Sequence, residues 1–288
     1  MAEGLALHTA ARTFCIAQHA EWTAKYGQIA PGVKDYLTTG WTYSHEQCKI
    51  FPRYRLAEAI LINLERFVAD SDTSLVDALR VAQEAGQSAY SVLSAELASM
   101  DDRAVVLSAL REQLDGYSSF LLEAARQRSL EVDPLPYRRV LSGVESDELW
   151  QMLSEQWHVR GPGSSWFPLS DDPAPNGVLT FHQELWEARK GEELLQSFLE
   201  AERIKRCLLL RELGPPNYEV DAALVSSAYD GSEKFLFSGR DWILYSSHES
   251  SLTLAGRLAA FFRDAWPNAD QLSYGGPFHT PDLRGTWY

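Results

Sequence analysis

The stretch "EKFLFSGRDWILYSSHESSLTLAG", residues 233–256, decides the fold class. Two apolar runs meet at Ser238-Gly239-Arg240-Asp241, and a third follows Ser246-Ser247-His248-Glu249. Short apolar segments rich in aromatic and branched residues, separated by turn formers, are the pattern of hairpins. The spacing predicts a three-stranded antiparallel meander near 233–255.

The polar residues inside it raise a chemical question. Along a strand, neighbouring side chains point to opposite faces, so Ser247 and His248 would not share a proton, whereas Ser246, His248 and Ser250 would lie on one side. Nucleophilic catalysis needs a serine within reach of an imidazole and a third group orienting the far nitrogen. No G-x-S-x-G elbow is present to hold such a serine. The stretch reads first as a polar turn. If the chain carries acid–base chemistry, Ser247, His248 and Glu249 are the catalytic candidates, with His248 central because an imidazole changes charge near neutral pH. Trp242, Tyr245 and His248, with Trp166 from an upstream loop, are the candidate binding residues.

Working back from the meander, "CLLLREL" (207–213) fits either the last turns of a helix or a buried strand, since so short an apolar run has no telling period. A helix is predicted over roughly 180–204, where Glu187, Glu192 and Glu193 read as helix surface. The stretch "GPGSSWFPLSDDPAPNG" (161–177) is a loop by its breakers, with Trp166 and Phe167 anchoring it. In "VESDELWQMLSEQW", Ser146 or Asp147 would cap a helix carrying Leu149, Leu153 and Trp157. After the meander, "RLAAFFRDAWP" is a short helix stopped by Pro267, and the tail is irregular.

The first half repeats at helical spacing. Phe14, Trp22 and Tyr26 align over 5–26, and Pro31, Gly32 and Gly40 interrupt. Leu56, Ile60, Leu64 and Phe67 form one stripe of a helix over 53–68, with Pro52 at its start and Arg55, Glu58, Glu65 and Arg66 opposite. Further helices fit 74–98, with Gly86 as its break point, and 102–127, with Leu107, Leu110, Leu114, Tyr117 and Leu121 inside. Two prolines in "SLEVDPLPY" (129–137) close this bundle. The expected fold is therefore α+β: a helical N-terminal bundle over 1–128, then a domain over 138–288 with a small antiparallel sheet flanked by helices.

Composition narrows the function classes. The chain has 26 basic and 40 acidic side chains, a net charge of −14, and its acidic excess accumulates after residue 70. No basic run exceeds two residues, which argues against direct binding to nucleic acid. No stretch approaches the ~18 uncharged apolar residues of a membrane span, and the start "MAEGLALHTAARTFC" lacks a basic-then-apolar leader. The expectation is a cytoplasmic protein. Cys15, Cys48 and Cys207 are far apart and odd in number, against a disulfide framework. His45-x-x-Cys48 has no second ligand pair, and neither a phosphate-binding G-x-x-x-x-G-K-[ST] nor a dinucleotide G-x-G-x-x-G follows a strand. No metal and no cofactor are expected.

The segments "PYRRVLSGVESDELWQMLSEQW", "WFPL", "YDGSEKFLFSGRDWILYSSHESSLTLAG" and "DAWP" resemble a set of uncharacterised bacterial proteins with no assigned activity. The resemblance covers roughly 134–267, centres on Asp241–Glu249, and does not extend to the helical half. It implies a bacterial origin and a region to test, without a mechanism. The leading expectation is a cytoplasmic bacterial binding or accessory protein, of the immunity-factor or adaptor type, acting through contacts with a protein partner; the acidic surface suits a basic one. The rivals are a hydrolase or transferase using His248 with a carboxylate, and a structural subunit of a larger complex.

Overall fold

A computed structural model describes residues 2–29, 43–100, 102–127, 129–170, 177–214, 216–229 and 231–273. The interruption expected at Pro31, Gly32 and Gly40, the middle of the 161–177 loop and most of the tail lie outside the described residues. The fold is α+β, and the chain divides into two compact units, Met1–Leu135 and Pro136–Tyr288.

The first unit is built from α1 (Glu3–Gly27), α2 (His45–Leu64), α3 (Leu75–Glu96) and α4 (Arg103–Arg126). The predicted stripe is its core: Leu56, Ile60 and Leu64 of α2 are buried beside Ala78, Ala82, Ala85 and Ala89 of α3 and Leu110, Leu114, Tyr117 and Leu121 of α4. Gly86 does not break α3. It lets α4 approach, because a Cβ there would stand 3.0 Å from the Tyr117 ring and 3.2 Å from Leu114.

Helix α2 begins earlier and ends earlier than its periodicity predicts. Ser44 and Gln47 form a reciprocal capping box that starts the helix at His45 and leaves Pro52 in its interior. The helix stops at Leu64, so Glu65 is not on the polar face; it turns inward, buried, where Arg12 Nε and Nη2 donate to its Oε1 at 3.2 and 3.0 Å. Beside this ion pair His8 is buried, with Nε2 3.1 Å from the Leu64 carbonyl oxygen and its ring edge-on to Phe67. A carbonyl can only accept, so Nε2 carries the proton.

The second unit is a seven-stranded sheet of β1 (Arg138–Val140), β2 (Leu179–His182), β3 (Arg206–Arg211), β4 (Tyr218–Asp221), β5 (Lys234–Phe237), β6 (Trp242–Ser246) and β7 (Ser251–Gly256), in the order β1-β4-β3-β5-β6-β7-β2. Every pairing is antiparallel. The predicted meander is β5-β6-β7, and "CLLLREL" resolves into β3. The sheet is larger than the expected small one because β2 and β4, four residues each, and the three-residue β1 are too short to show a period. The helix expected over 180–204 is instead β2 followed by α6 (Gln183–Ala188) and α7 (Gly191–Ala201), broken where Lys190 takes a left-handed φ of 58°. Helix α5 (Gly143–Trp157) starts before Ser146, capped by Ser142 and Glu145.

All residues of β5 and β6 are buried. One face, with Phe235, Phe237, Ile243 and Tyr245, packs on Trp150 and Leu153 of α5 and on Trp166. On the other, Trp242 meets Phe198 of α7, and Phe181 and Trp186 pack on Phe262 of α8 (Arg257–Ala265) and on Trp266. Covered on both faces, these strands read as continuous apolar runs rather than alternating ones. Gly256, at φ 67°, makes the turn into α8: a Cβ there would lie 2.1 Å from the Asp241 carbonyl oxygen. A final short helix, α9, spans Ala269–Leu272.

Two outcomes are expected of the helical unit. Leu64→Ala removes a fully buried side chain and should cost about 2–5 kcal/mol in chemical denaturation. Glu58→Ala breaks only an exposed 3.9 Å pair with Arg55 and should cost less than about 1 kcal/mol. For His8, burial first of all, and then Arg12, hold the imidazole below its ordinary 6.5, although the bond to Leu64 pulls it upward. Its folded pKa being the lower one, its contribution is fully present above about pH 6.5 and is lost as pH falls through the folded value. Protection of the α1 amides relative to their intrinsic exchange rates should fall over that interval as pH is lowered, and His8→Gln should flatten the dependence.

Candidate functional site

The predicted stretch sits at one end of the sheet, where strand ends bring acidic residues together. Glu212 directly follows β3 and Glu233 directly precedes β5, and the Glu212 amide donates to the Glu233 carbonyl at 3.0 Å. The two face each other across the ladder. Ser247 follows β6 and pairs with Ser251 through its amide, 2.9 Å from the Ser251 carbonyl oxygen. Residues opposite one another in an antiparallel pair share a face, so Glu212, Glu233, Ser247 and Ser251 form a row along the end of the sheet.

Both glutamates are nearly buried, at 6% and 5% exposure, and each has a specific donor. The Tyr245 hydroxyl donates to Glu212 Oε2 at 2.5 Å. The loop after α5 closes on the same residue, through Ser165 Oγ at 3.4 Å from Oε1 and the Gly163 amide at 2.7 Å from its carbonyl oxygen. Burial pushes the Tyr245 hydroxyl pKa up, and the adjoining Glu212 carboxylate adds to the rise, so Tyr245 acts as a donor. Glu233 pairs with His248 Nδ1.

Residues 247–250 are a turn, not a continuation of β6, and this overrides the strict strand alternation expected for Ser247 and His248. Ser250 takes a left-handed φ of 58°. Ser247 Oγ donates to Glu249 Oε2 and accepts from the Glu249 amide at 3.1 Å, which folds the turn on itself. His248 Nε2 lies 3.4 Å from Glu249 Oε1, and the side chain is 53% exposed. Ser247, His248 and Glu249 are thus brought together, but not as a nucleophile and base: the Ser247 hydroxyl is directed to Glu249, and each imidazole nitrogen faces a carboxylate.

The remaining binding candidates occupy other places. Tyr245 is in the network and buried. Trp166 is buried, donating Nε1 to the Trp157 carbonyl at 3.1 Å with its ring against Tyr245 and Phe235. Trp242 lies on the opposite face, buried against Phe198. Neither tryptophan presents a surface. The residues missed from sequence are Glu212 and Glu233. Their signal was a glutamate abutting an apolar run, in "LLLRE" and "EKFLF".

A second feature lies on the other face, beside the helices predicted to be plain surface. A pocket of about 300 Å³ has Leu252 of β7 as its floor, α6 and the first turn of α7 as two sides, and Ser226–Ala228 as the third. Glu187, Glu192 and Glu193 all line it.

Among the described residues no group of His, Cys, Asp or Glu could hold a metal ion, and His45 is turned to Asp102 at 2.5 Å while Cys48 is buried. Cys15, Cys48 and Cys207 are buried and form no disulfide. No described helix is long and apolar enough to cross a membrane. No protein-family model, curated protein or solved structure matches the chain.

The network predicts an order of stability effects. Tyr245→Phe leaves a buried carboxylate with only the long Ser165 bond and should cost about 1–3 kcal/mol, whereas Ser247→Ala, whose partner Glu249 is partly solvated, should cost under about 1 kcal/mol by equilibrium unfolding.

Proposed function

We propose that the chain is a cytoplasmic bacterial binding or accessory protein, of the immunity-factor or adaptor type, that works through contacts with a basic protein partner. The observation that carries this reading is the closed hydrogen bonding of the Ser247-His248-Glu249 turn. A serine that donates to a carboxylate is not activated by the imidazole beside it, and an Nδ1–H committed to Glu233 leaves that nitrogen no lone pair for a proton. What the turn offers is a half-exposed imidazole on a rigid frame with carboxylates on both sides. The net charge of −14 adds long-range attraction for a basic surface.

The test is affinity capture from bacterial lysate, with three variants. A stoichiometric basic protein should be retained, with less of it as salt rises, and Glu249→Lys should lose it. His248→Gln keeps hydrogen-bonding capacity and should keep most of the binding; His248→Ala should weaken it. A hydrolytic or transfer activity that disappears in folded His248→Gln, with no protein retained by the parent chain, would replace this reading with the enzymatic one.

A further inference from the structure

We propose that the pocket beside α6 and α7 binds a small organic cation, an ammonium group carried on a compact apolar body. The inference is independent of the protein-binding reading, because it concerns the opposite face of the sheet from the His248 network.

The walls of the pocket are fixed before any ligand arrives. Glu192 Oε2 accepts from both the amide and the hydroxyl of Ser227, the amide at 3.0 Å, and Gln196 Nε2 donates to the Val225 carbonyl at 2.9 Å. These bonds clamp 225–227 onto α7. On the other side the Trp186 ring is stacked on Phe262, with centroids 5.0 Å apart and planes 11° apart, and its second face meets Gly191, where a Cβ would stand 2.2 Å from the ring. The left-handed Lys190 makes this close turn between α6 and α7. Pre-formed concave sites of this size, apolar inside with few polar groups, are the ordinary form of small-molecule pockets.

Charge selects the ligand. Leu252 and the Trp186 ring, whose Nε1 is buried without a hydrogen-bond partner, form the apolar interior with Ala228 at its wall, while the charged groups around it are Glu187, Glu192, Glu193 and Lys190. Lys190 Nζ is held by Glu193 at 3.0 and 3.1 Å, so that pair is neutral and Glu187 and Glu192 remain, each holding only neutral donors, Gln183 and Ser227. The N-terminus of α7 alone would favour an anion. The acidic side chains of its first turn, Glu192 and Glu193, oppose that preference. Since both faces of the Trp186 ring are covered, the attraction comes from the carboxylates and not from the indole face.

The test compares three ligands of one shape on the full chain: 2-phenylethylamine, 2-phenylethanol and 3-phenylpropionate, followed by saturation-transfer NMR and titration calorimetry. The amine should bind roughly three- to tenfold more tightly than the alcohol, the size that two partly exposed ion pairs allow, and the carboxylate more weakly than either. Glu187→Gln should shrink the preference for the amine. Ala228→Trp, at an exposed wall position, should fill the pocket and abolish binding of all three; Ser226→Trp, also exposed, serves the same purpose if the first variant alters the unfolding midpoint. Equal affinity for amine and alcohol, binding that survives both tryptophan variants, or no binding by the parent chain would each overturn the proposal.

Discussion

Burial of β5 and β6 on both faces is the constraint from which the rest of the C-terminal unit follows. A central strand with no solvated side is apolar through its middle, here Phe235–Phe237 and Trp242–Tyr245, and a polar group buried at its ends is costly unless a partner inside the protein reaches it. The register of β5 with β3 sets Glu212 against Glu233, that of β5 with β6 sets Glu233 against Ser247, and that of β6 with β7 sets Ser247 against Ser251, where the apolar rows end. The Tyr245 hydroxyl is the hinge between core and network: its ring packs on Phe235 at 4.6 Å while its oxygen satisfies Glu212. One side chain thereby couples sheet packing to the electrostatics of the sheet end.

The helical unit uses the same physics in another form. Its core is a stripe of small and branched residues, and alanines on α3 together with Gly86 allow close helix approach. At the margin of that core sits a buried ion pair, Arg12–Glu65, with His8 beside it. Buried pairs of this kind add little net stability relative to an apolar replacement, yet removing one partner strands the other. Their consequence here is geometric: they hold the end of α2 against α1 and make that contact sensitive to protonation of His8.

Function in this chain is read from which polar groups are already satisfied. At the His248 turn the hydroxyl, the imidazole and two carboxylates answer one another, which gives a rigid, charged surface feature. In the pocket beside α6 and α7, two carboxylates hold only neutral donors around an apolar floor, which is the arrangement that leaves a role for a cation. The two features lie on opposite faces of one sheet and meet at its end, where the amide of Gln183 in the pocket wall donates to the Ser250 carbonyl of the turn at 2.8 Å.

Periodicity in the sequence determined the α+β class, the apolar stripe of α2, the helices α3 and α4, and the β5-β6-β7 meander, because each is a pattern repeated over enough residues to stand above chance. It misplaced the starts of α2 and α5, since those are set by the capping boxes at Ser44 and Ser142 and not by the stripe, and it ran α2 past Leu64. It could not show β1, β2 or β4, whose three or four residues become strands only by pairing with neighbours. It singled out Ser247, His248 and Glu249 from their adjacency, but their roles depend on Glu233 and on the turn at Ser250. Glu65, Glu192 and Glu212 looked alike as charges beside apolar residues; tertiary structure made one a buried ion pair, one a pocket wall and one the partner of a tyrosine. A carboxylate's role depends on the donors that reach it, and those come from residues distant in sequence.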